Sequence, residues 1–259
     1  MSGPKVRESG AVKGPVVCGS RENQPLVTVV VSVYNKEAYV AEAIESVVNQ
    51  DYSNLDIIVV DDGSTDRSRE IVEGYASRDS RVRFYSQENS GVASCRNRGL
   101  TDSKGEYIVF LDGDDYLYPD YLDCAVRYME ACPRVDLLHT AWDDVDEEGQ
   151  LVASSTVSEL GDYLGVLLLG NVFAIHAVFC RTAFLAKVGL FNFYTVTDDW
   201  EYWIRCAKEG GTFRAWNRRF VATRQHPQNN KKVPAKQKVR FFPIIDQVFS
   251  PEFGLPETY

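Results

Sequence analysis

Apolar residues recur in two patterns along the first half of the chain. Val27, Val29, Val30, Val31 and Val33 form a nearly continuous run, and "LDIIVV" (55–60) and "EYIVFL" (106–111) repeat it. Runs of this length bounded by turn residues predict strands buried on both faces, which places the first within 25–35. "RVRFY" (81–85) predicts a shorter strand of the same kind. Between these runs the spacing becomes helical. Val40, Ala43, Ile44, Val47 and Val48 share a stripe of a helix from about 37 to 49. A second helix carries Ile71, Val72 and Tyr75, a third covers 90–100 and begins after Gly91, and a fourth starts at Pro119. Strand and helix alternating at this spacing predict an α/β chain with a parallel sheet and helices on both faces.

After about residue 135 the alternation loosens. "VDLLHTAWDDV" predicts a strand and "DEEGQ" a hairpin-like turn. A helix is expected over 159–169, a strand over 172–180, and two short strands within "TFRAWNRRFVATRQH". "DDWEYWIRCAKEGG" (198–211) predicts a helix opened by acids, closed by glycines and carrying Trp200, Trp203, Ile204 and Ala207 on its apolar face. Residues 1–24 lack periodicity and are expected to be a flexible tail. A further helix is expected near 236–248.

The 259-residue chain is 44% hydrophobic, enough for a substantial core, and its net charge of −9 disfavours nucleic acid or an anionic membrane as partner. Its six cysteines have no metal-ligand spacing and read as reduced thiols of a cytoplasmic protein. The uncharged stretch 163–180 is interrupted by Gly170, Asn171 and His176, which favours a buried helix and strand over a transmembrane segment.

Candidate chemistry gathers where the strands end. The first strand leads to Tyr34, Asn35 and Glu37, the second to Asp61, Asp62 and Asp66, the third to Gln87, Glu88 and Asn89, and the fourth to Asp112, Asp114 and Asp115. In an open parallel sheet these ends lie along one edge, where ligands bind. Unit charges 4 Å apart interact by about 4 kcal/mol at an effective dielectric near 20. Such an edge needs a divalent cation, basic neighbours or raised pKa values, and oxygen ligands suit Mg²⁺ or Mn²⁺. Asp61, Asp62 and Asp66 also fit turn and cap chemistry, and Asp115 before Pro119 fits helix entry. Asp112 and Asp114 fit metal binding better, since capping needs only one acid. The chain lacks both GxGxxG and GxxxxGK[ST], so a diphosphate would have to be held by the cation and by side chains such as Arg96 and Arg98, which also fit exposed helix charges.

In order, "VSVYNKEAYVAEAIESVVNQDY", "VVDDGSTDRS", "NSGVASCRNRGL", "FLDGDDYLYPDYL", "VGLFNF", "DDWEYWIRCAKEGG" and "RQHPQNN" resemble the family 2 glycosyltransferases over about residues 26–227. The resemblance implies a GT-A fold, a single Rossmann-like, mixed, mostly parallel sheet flanked by helices, with a smaller acceptor-side subregion. It implies a domain over 25–227, with a nucleotide-binding half (25–115) and an acceptor half (116–227), and leaves 228–259 as a tail, lid or interface. It further implies an inverting, metal-dependent, hexosyltransferase-like enzyme using a nucleotide sugar, UDP-linked by resemblance, and a glycan, polysaccharide or other hydroxyl acceptor. Tyr34, Asn35 and Glu37 would line the nucleotide pocket, Asp62 would bond the base, and Arg96 would lie near donor phosphate or sugar. Asp112 and Asp114 form a DxD-type motif, with Asp112 near ribose or metal and Asp114 on the metal, joined by His226. Asp199 matches the catalytic base. Asp198 stands where the family more often has Glu, and Asp198, Trp200 and His176 fall on the acceptor side. His226 as a loop histidine, and Asp198 and Asp199 as N-caps, are the plainer alternatives. A non-catalytic sugar-nucleotide-binding module or a receiver-like Mg²⁺-binding signalling domain would share parts of this pattern, and a homo-oligomer is left open.

Overall fold

The first strand, β1 (Val27–Val33), is buried at every position, as its unbroken valine run requires. The computed structural model describes residues 24–192 and 198–226. Within them β1 is followed by α1 (Val40–Val48), β2 (Leu55–Asp61), α2 (Ser68–Ala76), β3 (Val82–Ser86), α3 (Val92–Asp102) and β4 (Tyr107–Asp112). Alternate residues of these strands serve opposite layers. Val29, Val31, Ile57, Val59, Val109 and Leu111 pack in one apolar cluster with α1 and α4, while Val30, Ile108 and Phe110 pack in a second with Leu185, Tyr202 and Trp203. Each fully buried Val, Ile or Phe contributes about 1.5–3 kcal/mol of transfer free energy. Helix α3 lies so close to β1 that a Cβ at Gly99 would stand 2.2 Å from a Val30 methyl.

The chain continues through β5 (Tyr116–Leu117), α4 (Tyr121–Ala131), β6 (Leu137–Val145), β7 (Leu151–Ser154), α5 (Tyr163–Leu169), β8 (Val178–Arg181), α6 (Thr182–Val188), α7 (Asp198–Lys208) and β9 (Phe213–Arg224). One sheet has the order β3-β2-β1-β4-β8-β6-β9-β5, with β7 paired on β6. The first four strands are parallel, β8 is antiparallel to β4, and β6 and β9 are parallel to each other. The mixed, mostly parallel sheet is the expected architecture.

Two expectations change, and one helix appears that the pattern did not predict. The strand expected over 172–180 is confined to β8, because a short 3₁₀ turn at Ile175–Ala177 precedes it. Helix α6 follows at once and ends at Gly189, whose φ of +89° suits a residue without a Cβ. The two strands expected after 212 are one, β9, whose polar Asn217, Arg218 and Arg219 are exposed where its register on β6 shifts. The five cysteines in the described residues are free thiols. Among those residues no helix is long and apolar enough to cross a membrane. The tail 1–23, the helix expected near 236–248 and the region after His226 lie outside the described residues.

Candidate active site

At the carboxyl ends of β1, β2 and β4 opens a cleft of about 770 Å³, lined among others by Tyr34, Asn35, Lys36, Asp62, Arg96, Asp112, Asp114, Asp198 and Asp199. Eight of the residues to which the family resemblance gives a place in the site therefore share one cavity. The crowding of Asp112, Asp114 and Asp115 is resolved by giving each carboxylate its own partner. Asp112 Oδ1 accepts from Arg96 Nη2 at 2.9 Å. Asp114 Oδ2 accepts from Lys36 Nζ at 2.6 Å and lies 2.8 Å from His226 Nε2. Asp115 Oδ1 accepts from the Arg224 amide at 2.7 Å, and its Oδ2 lies 3.3 Å from His176 Nδ1. Burial alone would raise the Asp114 carboxyl, but the Lys36 ammonium and the contact with His226 outweigh it and hold it below the ordinary carboxylate value.

The opposite wall comes from α7. Trp200 Nε1 donates to the Leu167 carbonyl at 2.6 Å, fixing the helix against α5. The Tyr202 ring stacks on Phe191 at 3.8 Å, and Asn97 of α3 makes two hydrogen bonds to the Phe191 backbone. Helix α7 is thereby set against α3, and its two leading acids take different roles. Asp198 is buried, and its Oδ2 accepts from Arg96 Nη1 at 2.6 Å. Asp199 is only partly buried and has neutral partners, with Asn171 Nδ2 donating to Oδ2 at 3.0 Å and the Trp200 amide to Oδ1 at 2.8 Å. Burial pushes the Asp199 carboxyl up to about 6; Arg96 pulls it down and Asp198 pushes it up. An acid of that strength is ionised at neutral pH yet basic enough to take a proton.

Several expected residues stand elsewhere or do other work. Asp62 lines the cleft, but its carboxylate accepts from Gln87 Nε2, the Ser90 amide and the Gly91 amide at 2.8–2.9 Å, tying down the loop before α3. Glu37 does not line the cleft; its Oε2 accepts from the amide and Nε of Arg67. Asp66 accepts from the Glu37 and Ser68 amides, which is turn chemistry. Arg98 is exposed, bonded to Asp102 at 2.7 Å and laid over the Tyr85 ring, away from the cleft. His176 is buried between Asp115 and Thr223, and Trp200 packs inward, so both support the wall from behind. Sequence reasoning passed over Lys36, although it sits between two residues it singled out, and read Asn171 only as an interruption of an apolar stretch. Asn35 has a φ of +51°, which Asn tolerates, and this turns the chain so that its Oδ1 accepts from the Thr65 amide at 2.8 Å.

The Asn171 contact carries a prediction. Its amide stabilises the ionised form of Asp199, so Asn171→Ala is expected to move the group upward from about 6 and shift the acid limb of the kcat/KM profile to higher pH. A lower rate with an unmoved limb would assign Asn171 to packing alone.

The donor set around Asp114 bears on a metal. Asp114 Oδ2 and His226 Nε2 converge, and the Lys36 ammonium already places a positive centre against the same oxygen. Among the described residues no three His, Cys, Asp or Glu side chains form a metal-holding group. A cation at this position would draw on Asp114 and His226 and would need phosphate oxygens or water to complete its shell.

A family model described as Glycosyl transferase family 2 matches residues 28–184. An uncharacterized glycosyltransferase of Haemophilus influenzae is 36% identical over 189 residues, spanning 72% of this chain and 74% of its own. Glycosyltransferase GlyG of Streptococcus pneumoniae is 43% identical over 106 residues, but the match spans 40% of this chain and only 35% of that relative. Among solved structures, S. aureus TarS 1-349 in complex with UDP-GlcNAc superposes with a TM-score of 0.71 at 20% identity, over 87% of this chain and 65% of that one. The mannosyltransferase PcManGT of Pyrobaculum calidifontis, in complex with GDP-Man and Mn²⁺, gives 0.61 at 22% identity, over 92% of this chain and 67% of its own. At these identities the structural likenesses establish the fold.

Proposed function

The chain belongs to glycosyl transferase family 2, and on that premise we propose that it moves a sugar from a UDP-linked donor to a hydroxyl of a glycan or related acceptor, with inversion at the anomeric carbon. The observation that carries this reading is the sharing of one cleft by Asp114, with His226 and Lys36 against its carboxylate, and the partly buried carboxylate of Asp199. Inversion needs attack from the face opposite the leaving diphosphate, and therefore one base and no covalent intermediate.

Asp199 is the better base of the two leading acids. Asp198 is committed to the Arg96 guanidinium, whereas among the described residues the hydrogen-bond donors to Asp199 are neutral, which orients it and leaves lone pairs for an acceptor hydroxyl. In this reading Asp199 takes the hydroxyl proton as the oxygen attacks the anomeric carbon. Tyr34 and Asn35 line the nucleotide side, and Asp62 holds the Ser90–Gly91 turn that borders it. Arg96 lies between Asp112 and Asp198 and contributes by fixing the two walls to each other. Asp114 and His226 would hold a divalent cation, Mn²⁺ or Mg²⁺, and when bound it supplies positive charge against the departing diphosphate.

Calorimetric titration with UDP tests the cation wall. Asp114→Ala is expected to abolish the gain in UDP affinity that Mn²⁺ gives the wild-type protein, and an unchanged gain would remove Asp114 from the metal site. A thermal-shift panel of nucleotide sugars, each with and without Mn²⁺, identifies the donor; no stabilisation by any of them would overturn the reading.

A further inference from the structure

Among the described residues, six aspartates line the cleft against three cations, Lys36, Arg96 and Arg224. A nucleotide-sugar donor brings a further anionic diphosphate into this surplus of negative charge. Two of the three cations are tied down. Arg96 is buried between Asp112 and Asp198. Arg224 reaches the backbone carbonyls of Asp114, Asp146 and Glu147 as well as the Glu42 carboxylate.

Lys36 is built differently. Its ammonium has one carboxylate partner among the described residues, Asp114 Oδ2 at 2.6 Å, and its side chain keeps 19% exposure. Its backbone is anchored, because the amide donates to Ser68 Oγ at 2.7 Å and the carbonyl accepts from the Tyr39 and Val40 amides. The flexible stem crosses the glycine of the DGD sequence, with Lys36 Cγ 3.5 Å from where a Gly113 Cβ would stand. The charged end can therefore change partner with no movement of the backbone.

Resting on the donor-site reading above, we propose that Lys36 is a counter-ion switch: without donor its ammonium fills the cation position at Asp114, and with donor it passes to a phosphate oxygen while the divalent ion takes its place. Lysine suits this exchange, being a compact charge on a flexible stem and a common phosphate partner. Competition for one carboxylate oxygen makes metal and nucleotide binding mutually dependent, and linkage requires the effect to be equal in both directions.

The test measures Mn²⁺ and UDP binding by calorimetry, with free Mn²⁺ followed by electron paramagnetic resonance, in wild type, Lys36→Met, Lys36→Gln and Asp114→Asn. The apolar and polar replacements together separate loss of charge from altered packing. Both are expected to bind Mn²⁺ alone about tenfold or more tightly than wild type, since a unit charge beside the ligand oxygen is gone. Both should bind UDP more weakly without metal, and the factor by which UDP strengthens Mn²⁺ binding should shrink. Wild-type Mn²⁺ affinity in both Lys36 variants, with binding lost in Asp114→Asn, would overturn the switch and leave the donor site standing. Absence of Mn²⁺ binding in every variant, with and without UDP, would overturn both.

Discussion

Asp199→Asn is expected to lower the rate of sugar transfer by about 10²–10⁴-fold, the range a positioned general base supplies, while UDP and donor affinities stay near those of the wild type. The amide is nearly isosteric, so the Trp200 amide can still donate to the side-chain oxygen, and α7 keeps its packing through Trp200 and Tyr202. What is lost is the capacity to accept a proton. The wild-type profile supplies a second signature. With the carboxyl pushed up to about 6 by burial, kcat/KM should fall as pH drops through that value and level off above it, because only the ionised form acts as base. Near-wild-type transfer by Asp199→Asn, or an acid limb that persists in its residual activity, would transfer the role to another group. Asp198 would be the next to examine, although it would first have to leave Arg96.

The fold was legible where one physical constraint dominates. Strands buried on both faces cannot alternate, so Val27–Val33, Leu55–Asp61 and Tyr107–Asp112 announced themselves as unbroken apolar runs, and their polar ends predicted the edge where the cleft opens. Legibility ended where short and long apolar stretches look alike. Residues 172–180 are largely apolar because Phe173 and Ile175 are buried ahead of β8, not because they all extend as a strand. Helix α6 carried its own stop signal in Gly189, but seven residues hold too little periodicity to separate a helix from a strand. The single β9 was masked by Asn217–Arg219, a polar interruption that a bulge lets face solvent.

The site divided along the same line. Which acids gather was readable from strand ends, since connectivity alone brings them together. Which cation serves which acid was not. Lys36 meets Asp114 across 78 positions and Arg96 meets Asp198 across 102, and no local pattern encodes such pairings. Asp198 and Asp199 are neighbours of the same type, and the difference between structural anchor and base comes from the direction each side chain takes off the first turn of α7. Thr223 and Arg224 reach the cleft only because β9 runs parallel to β6 and ends at the same edge.

That division makes Arg96 the position where architecture and chemistry are most tightly joined. Arg96→Met is expected to lower the unfolding free energy by about 3–5 kcal/mol, the cost of breaking a buried ion pair by removing one partner. The loss should exceed what the removed contacts alone suggest, because Arg96 is 4% exposed and its guanidinium answers two carboxylates, Asp112 and Asp198, on different elements. Urea denaturation measures it. The diagnostic comparison is Arg96→Met/Asp198→Asn, which removes the stranded charge together with its partner. The double variant should recover part of the lost stability, giving a coupling energy well above the scatter of independent sites. Activity supplies an independent reading, since the Arg96 charge pulls the Asp199 carboxyl down. In the single variant the acid limb of kcat/KM should therefore move upward from about 6, whereas a guanidinium serving only the donor phosphate would change KM and leave the limb in place. Additive losses in the double variant, or an unmoved limb in the single one, would mean that Arg96 does not bind the two walls of the cleft into one electrostatic unit.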